Sequence, residues 1–187
     1  KFLRISTIYP EAIKIIENEI NFEKNINYNK LLSKVLNFGF GESNKITKEL
    51  KKKKYVCNEI IANLDVLQKK WVSEYSKYNI HRNTILNQIM YYKPDIIYFG
   101  NSNILDKEIF LQIKKLKHLK LIIIFHCSPI TKKIEKNLYH ADILITCTDG
   151  YKNKISKIVK KKTFKINHAF NYLDKNYEDF KKRNIDI

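Results

Sequence analysis

Arginine is almost missing from this chain. Only Arg4, Arg82 and Arg183 stand among its 36 basic residues, the rest being lysine. Arginine grips phosphate with a planar pair of donors, so its scarcity counts against a nucleic-acid binder even at a formal charge of +17. Asn and Ile are used heavily as well, the pattern AT-rich codons impose on a whole sequence. The lysines therefore read first as a dispersed, solvated surface, second as a match for an anionic membrane, and last as a nucleic-acid contact. No apolar run approaches the roughly 20 residues that span a bilayer, and Lys1–Tyr9 is too short for a signal peptide. Three cysteines, odd in number and irregular in spacing, argue against a disulfide framework and for a reducing compartment, with cytoplasm as the default. Four glycines and three prolines leave no flexible linker, and no internal repeat is present. At 187 residues the chain fits one domain with a real core.

What is present centres on residues 120–129, Lys-Leu-Ile-Ile-Ile-Phe-His-Cys-Ser-Pro. Five consecutive large apolar residues, Leu121 to Phe125, read as a strand covered on both faces in a parallel sheet. Five more strands are expected at about 2–8, 55–61, 96–99, 143–147 and 163–166, with helical periodicity between them. Six strands alternating with helices predict a Rossmann-like, doubly wound and mostly parallel α/β sheet. Ile13, Ile16 and Ile20, then Leu32, Val35 and Leu36, recur at helical spacing, so residues 11–37 read as a helical insertion after the first strand. A further helix begins near Ser43, a capping residue, with Ile46 and Leu50 on its buried side.

In an open α/β sheet, ligands bind beyond the carboxyl ends of the strands. Tyr9, Asn101, Ser102, His126, Ser128, Asp149 and His168 all follow such ends. They form a polar rim able to hydrogen-bond sugar hydroxyls or phosphate. His126 taken alone reads equally as a core histidine bonded to a carbonyl. Gly39-Phe40-Gly41 before a helix can bring backbone N–H groups to a phosphate, or serve only as a turn that needs positive φ. It fits neither the Walker nor the dinucleotide glycine spacing. His126, Cys127, Cys147 and His168 lack metal-ligand spacing, and neighbours such as His126 and Cys127 diverge at a strand end, which disfavours zinc and a Cys–His nucleophile.

Taken in order, several passages resemble a known family. Phe38–Asn63 (Phe-Gly-Phe-Gly-Glu-Ser through Val-Cys-Asn-Glu-Ile-Ile-Ala-Asn) is similar to the glycine loop, helix and second strand of family-4-like glycosyltransferases of the GT-B fold. Lys93-Pro-Asp-Ile-Ile-Tyr-Phe, Ile123-Ile-Phe-His-Cys-Ser-Pro, Ala141-Asp-Ile-Leu-Ile-Thr-Cys-Thr and Asn167-His-Ala-Phe-Asn resemble that family's third to sixth strands. The nearest likeness is to the bacterial, CgeB-type branch. The resemblance implies a cytoplasmic enzyme, possible contact with the inner face of the membrane included, that moves a sugar from a nucleotide-sugar donor to a glycan or lipid-linked acceptor. It implies retention at the anomeric carbon, with no metal and no cofactor beyond the donor as co-substrate. By position, His126 matches the histidine that contacts the donor sugar near the reacting carbon, and Gly39 and Gly41 match the loop near the donor phosphates. Residues 1–173 would be the acceptor-side domain. Residues 174–187 would be a linker or terminal helix leading to a donor-binding domain beyond the sequence in hand. Under this reading His126→Ala lowers turnover with little change in folding. Alternatives are a non-catalytic sugar- or nucleotide-binding module, and a basic domain that lays Ile13, Ile16 and Ile20 on an anionic bilayer.

Overall fold

The computed structural model describes residues 1–20, 25–39, 44–104 and 106–167. Its strands are β1 (Phe2–Ser6), β2 (Cys57–Ile61), β3 (Ile96–Phe99), β4 (Leu121–Phe125), β5 (Ile143–Thr146) and β6 (Thr163–Lys165). They form one sheet in the order β2-β1-β3-β4-β5-β6, with every neighbouring pair parallel. This is a Rossmann-like α/β sheet, as expected.

The helices are α1 (Pro10–Ile20), α2 (Tyr28–Asn37), α3 (Lys45–Lys52), α4 (Asp65–Glu74), α5 (Thr84–Tyr92), α6 (Lys107–Lys114), α7 (Lys132–Leu138) and α8 (Asp149–Val159). Several begin where a side-chain oxygen accepts an early backbone N–H. Asn27 caps α2, Asn83 caps α5, Thr131 caps α7 and Thr148 caps α8. The Ser43 cap expected for α3 lies outside the described residues.

One face of the sheet carries the main core. Leu3, Ile5, Ile97, Ile122, Ile124 and Leu144 pack there with residues of α5, α6, α7 and α8. The opposite face is less covered. Phe2, Cys57 and Tyr98 are buried on it, whereas Ile96, Ile123, Phe125 and Ile145 are half-buried. β4 is therefore not enclosed on both sides, as its run of five apolar residues predicts. Its side chains alternate between buried and half-buried. The strand buried along its whole length is β1, polar residues included. The reason is positional: β1 lies between β2 and β3, beneath the helices that join β1 to β2.

A second cluster forms around Trp71 of α4. It takes in Ile16 of α1, Tyr28, Leu31 and Val35 of α2, and Ile61 at the end of β2. Ile13 packs against it. Ile13 and Ile16 of α1 are thus spent inside the protein and are not free to meet a bilayer, whereas Ile15 is exposed.

α3 follows its hydrophobic pattern at Leu50, which packs against Phe2, Cys57 and Tyr98, and departs from it at Ile46. Ile46 is 43% exposed and Thr47 is buried instead. The cause is a buried ion pair. Arg4 Nη1 of β1 donates to Glu59 Oε2 of β2 at 2.9 Å, with both side chains shut off from water. The Thr47 hydroxyl reaches the other carboxylate oxygen of Glu59. A buried carboxylate with a spare lone pair demands a donor, and Thr47 of α3 supplies one.

Candidate functional site

β3 ends in Gly100-Asn101-Ser102, and its neighbour β4 ends in His126-Cys127-Ser128. Because the two strands are parallel and in register, their tips meet. The Ser102 hydroxyl lies 2.8 Å from His126 Nδ1, and the Ser128 carbonyl lies 2.7 Å from His126 Nε2. A carbonyl only accepts, so Nε2 carries the proton. Nδ1 of the neutral ring then accepts from the Ser102 hydroxyl. His126 is 2% exposed. Its backbone N–H is held as well, donating to the Ile145 carbonyl of β5. Asn137 of α7 donates to the Ser102 carbonyl at 2.9 Å and fixes that loop from below.

Of the residues expected on the rim, the structure joins three directly: Ser102, His126 and Ser128. Asp149 comes close through α8, whose first turn also carries Tyr151. The Tyr151 ring stands edge-on to the His126 imidazole, with centroids 6.2 Å apart. The Asp149 carboxylate accepts from Lys165 Nζ at 2.6 Å. Asn101 is exposed, and its side chain accepts from the Asn103 N–H in a local turn. Tyr9 lies past the end of β1, 71% exposed and on the same edge of the sheet. Gly39 adopts φ +70°, so the need for a left-handed turn is met at that position. Gly41 and His168 lie outside the described residues.

Sequence reasoning missed two participants, Asn137 and Tyr151. Neither sits at a strand end, so neither gave a signal. It also missed the cysteines. Cys127 and Cys147 follow the neighbouring strands β4 and β5 and are brought side by side, with Cα atoms 5.9 Å apart. Cys57 is free and buried. Counting and spacing could not show this, because parallel pairing brings together residues 20 apart. His126 and Cys127 do diverge: the ring turns to Ser102 while the sulfur turns to Cys147. Among the described residues no three of His, Cys, Asp and Glu gather as a metal would need, and no helix is long and apolar enough to cross a membrane.

Burial holds the His126 imidazole below its ordinary pKa, opposed in part by the Ser128 carbonyl, which favours the N–H form. His140, stacked on Phe110, is lowered too, first by burial and then by Lys114, Lys161 and Lys107. For both, the unfolded chain takes up a proton that the folded one resists. Their contribution to stability is complete above the unfolded value near 6.5 and is lost as pH falls from there toward the lowered folded values. Urea titrations between pH 7.5 and pH 5 should therefore show stability declining, and His126→Asn and His140→Asn should each flatten that decline.

Chemically, the ring in this arrangement is neither a free base nor a free donor. It pins two loops. The polar groups that face solvent are the Ser128 hydroxyl, the Asn101 side chain and the Asp149 carboxylate. Compared with known proteins, the chain matches no family model, no curated protein and no solved structure.

Proposed function

We propose that this chain is the acceptor-side, Rossmann-like domain of a glycosyltransferase. It would work against a donor-binding domain to move a sugar from a nucleotide sugar to a glycan, a lipid-linked sugar or another cell-surface acceptor. The observation that carries the reading is the joining of β3 and β4 at their carboxyl ends through Ser102, His126 and Ser128. It supports a preorganised polar edge where an open parallel sheet takes its ligand. In this reading Asn101, Ser128 and Asp149 meet hydroxyls of the sugars. His126 acts on them by holding the loops. Direct contact between its Nε2–H and a donor hydroxyl requires the Ser128 carbonyl to be exchanged for that hydroxyl. A donor-binding domain would supply the charges that stabilise the departing diphosphate, so this polypeptide alone should transfer no sugar.

A second reading, a non-catalytic sugar- or nucleotide-binding module, is favoured by the commitment of both ring nitrogens to the protein. Calorimetry separates the two. The transferase half should bind free glycans weakly, in the millimolar range, with Asn101→Ala and Asp149→Ala each weakening binding without moving the melting temperature. Micromolar binding by this chain alone selects the module. Sugar transfer by this polypeptide, or binding indifferent to both substitutions, overturns the transferase half.

A further inference from the structure

Lysines occur on the rim side as well, but the opposite edge of the sheet collects them from several helices and loops. In a parallel sheet the chain enters every strand on the edge opposite the rim, so the helices that lead directly into strands, α3, α5, α6, α7 and α8, end toward that edge. Here first turns carry acids, as in α1, α4, α6 and α8, while the last turns of the helices entering strands carry lysines, as in α3, α6, α7 and α8. Each helix alone shows ordinary complementarity to its dipole. Topology adds these preferences together. The edge where the strands begin then gains further lysines beyond the helix ends, at 53–54, 93, 117, 120 and 160–162, and all but the half-buried Lys161 are exposed. Lys52 pairs with Glu49 and Lys120 with Asp95. Asp95 and Asp142 are the acids placed among them.

Two further observations set this edge apart. The non-glycine residues with positive φ among the described residues are Lys54 at 65°, Lys93 at 47° and Lys160 at 50°. Each stands three residues before a strand, at β2, β3 and β6. Glycine adopts that backbone freely and a lysine does not, so a charge is held at each point against the backbone's preference. In addition, Tyr55 and Val56 follow the lysines at 51–54 with 53% and 59% of their surface exposed. Of the arginines, Arg4 is buried in the core and Arg82 precedes α5 on the rim side.

We propose that this edge, opposite the rim, docks on an anionic lipid bilayer. Ammonium groups would sit among the headgroups, and Tyr55 and Val56 would enter the interface. Point charges with an exposed aromatic–aliphatic pair fit headgroups better than they fit a nucleic acid, where arginine forks would be expected. The proposal stands independently of the sugar-transfer reading.

The experiment is co-sedimentation of the chain with vesicles of phosphatidylcholine, with or without phosphatidylglycerol as one third of the lipid. Binding is expected to anionic vesicles and to weaken at least tenfold on neutral ones or in high salt. Lys53→Glu with Lys54→Glu should cost at least tenfold more than the equal charge change Lys132→Glu with Lys152→Glu on the rim side. Tyr55→Ser with Val56→Ser should remove the binding that survives in salt. Lys160→Gly should bind more weakly yet melt higher, a pairing that no folding defect imitates. Asn101→Ala should bind as the parent does. Equal binding to neutral vesicles, equal loss from both pairs of charge reversals, or tighter binding to single-stranded RNA than to anionic vesicles overturns the proposal.

Discussion

Glu59→Gln should cost the fold about 3–5 kcal/mol, a large share of the roughly 5–15 kcal/mol a domain of this kind possesses. The Arg4–Glu59 pair is sealed between β1 and β2. The substitution removes the countercharge of a guanidinium that is fully buried, and it changes the acceptor that Thr47 reaches. The double replacement Arg4→Met with Glu59→Leu should recover most of the loss, because two buried charges are withdrawn together and apolar volume takes their place. Thr47 keeps a partner in that variant, since its hydroxyl can turn its one proton to the Asn44 carbonyl, 2.9 Å away. Urea unfolding of the two single variants and the double variant measures the coupling directly. A loss below 1 kcal/mol for Glu59→Gln would place the pair in water, contrary to the geometry.

His126→Ala should cost about 2–4 kcal/mol, by stranding the Ser102 hydroxyl and the Ser128 carbonyl and by opening a cavity at the strand end. This replaces the expectation of little change in folding, which treated His126 as a rim residue open to ligand. Ser102→Ala removes one hydrogen bond and should cost about 1 kcal/mol. Combined with His126→Ala it should cost less than the sum, because the two groups serve each other. A solvent-facing histidine would lose less than about 0.5 kcal/mol. Denaturant midpoints for these variants decide between the two.

How far the sequence alone reached can be judged from particular residues. Leu121 to Phe125 announced a strand because five apolar residues in a row have no wet face to spare. Parallel pairing then followed from the alternation of strands with helices and the handedness of such connections. Coverage did not follow, since which face a helix protects depends on where its connection crosses. β1 therefore proved the more enclosed strand. The burial of Thr47 in place of Ile46 was hidden because it is set by hydrogen-bond satisfaction around Glu59, while Leu50 packs inward as its spacing predicts. One signal was available: Arg4, in a chain nearly devoid of arginine, sits in the middle of Phe-Leu-Arg-Ile-Ser, where only a paired charge belongs.

At the site, strand ends named Ser102, His126 and Ser128, because a parallel sheet must bring those tips to one edge. The partners of the ring were not legible, since residues 24 apart meet only after the strands pair. Tyr151 and Asn137 come from helices, whose contributions to a rim leave no local mark. The nearness of Cys127 and Cys147 was invisible to counting for the same reason as the Ser102 contact. Lysine excess was plain in the composition, and its gathering on one edge required the topology.

The most direct test of the rim as the ligand edge is a two-dimensional NMR titration of the labelled chain with nucleotide sugars and with free glycans. Amide shifts should be confined to residues 100–103, 126–129 and 147–151. Shifts concentrated at residues 51–56 and 160–162 on the lysine edge, or none with any of these ligands at millimolar concentration, would contradict a sugar-binding site at the carboxyl ends of the strands.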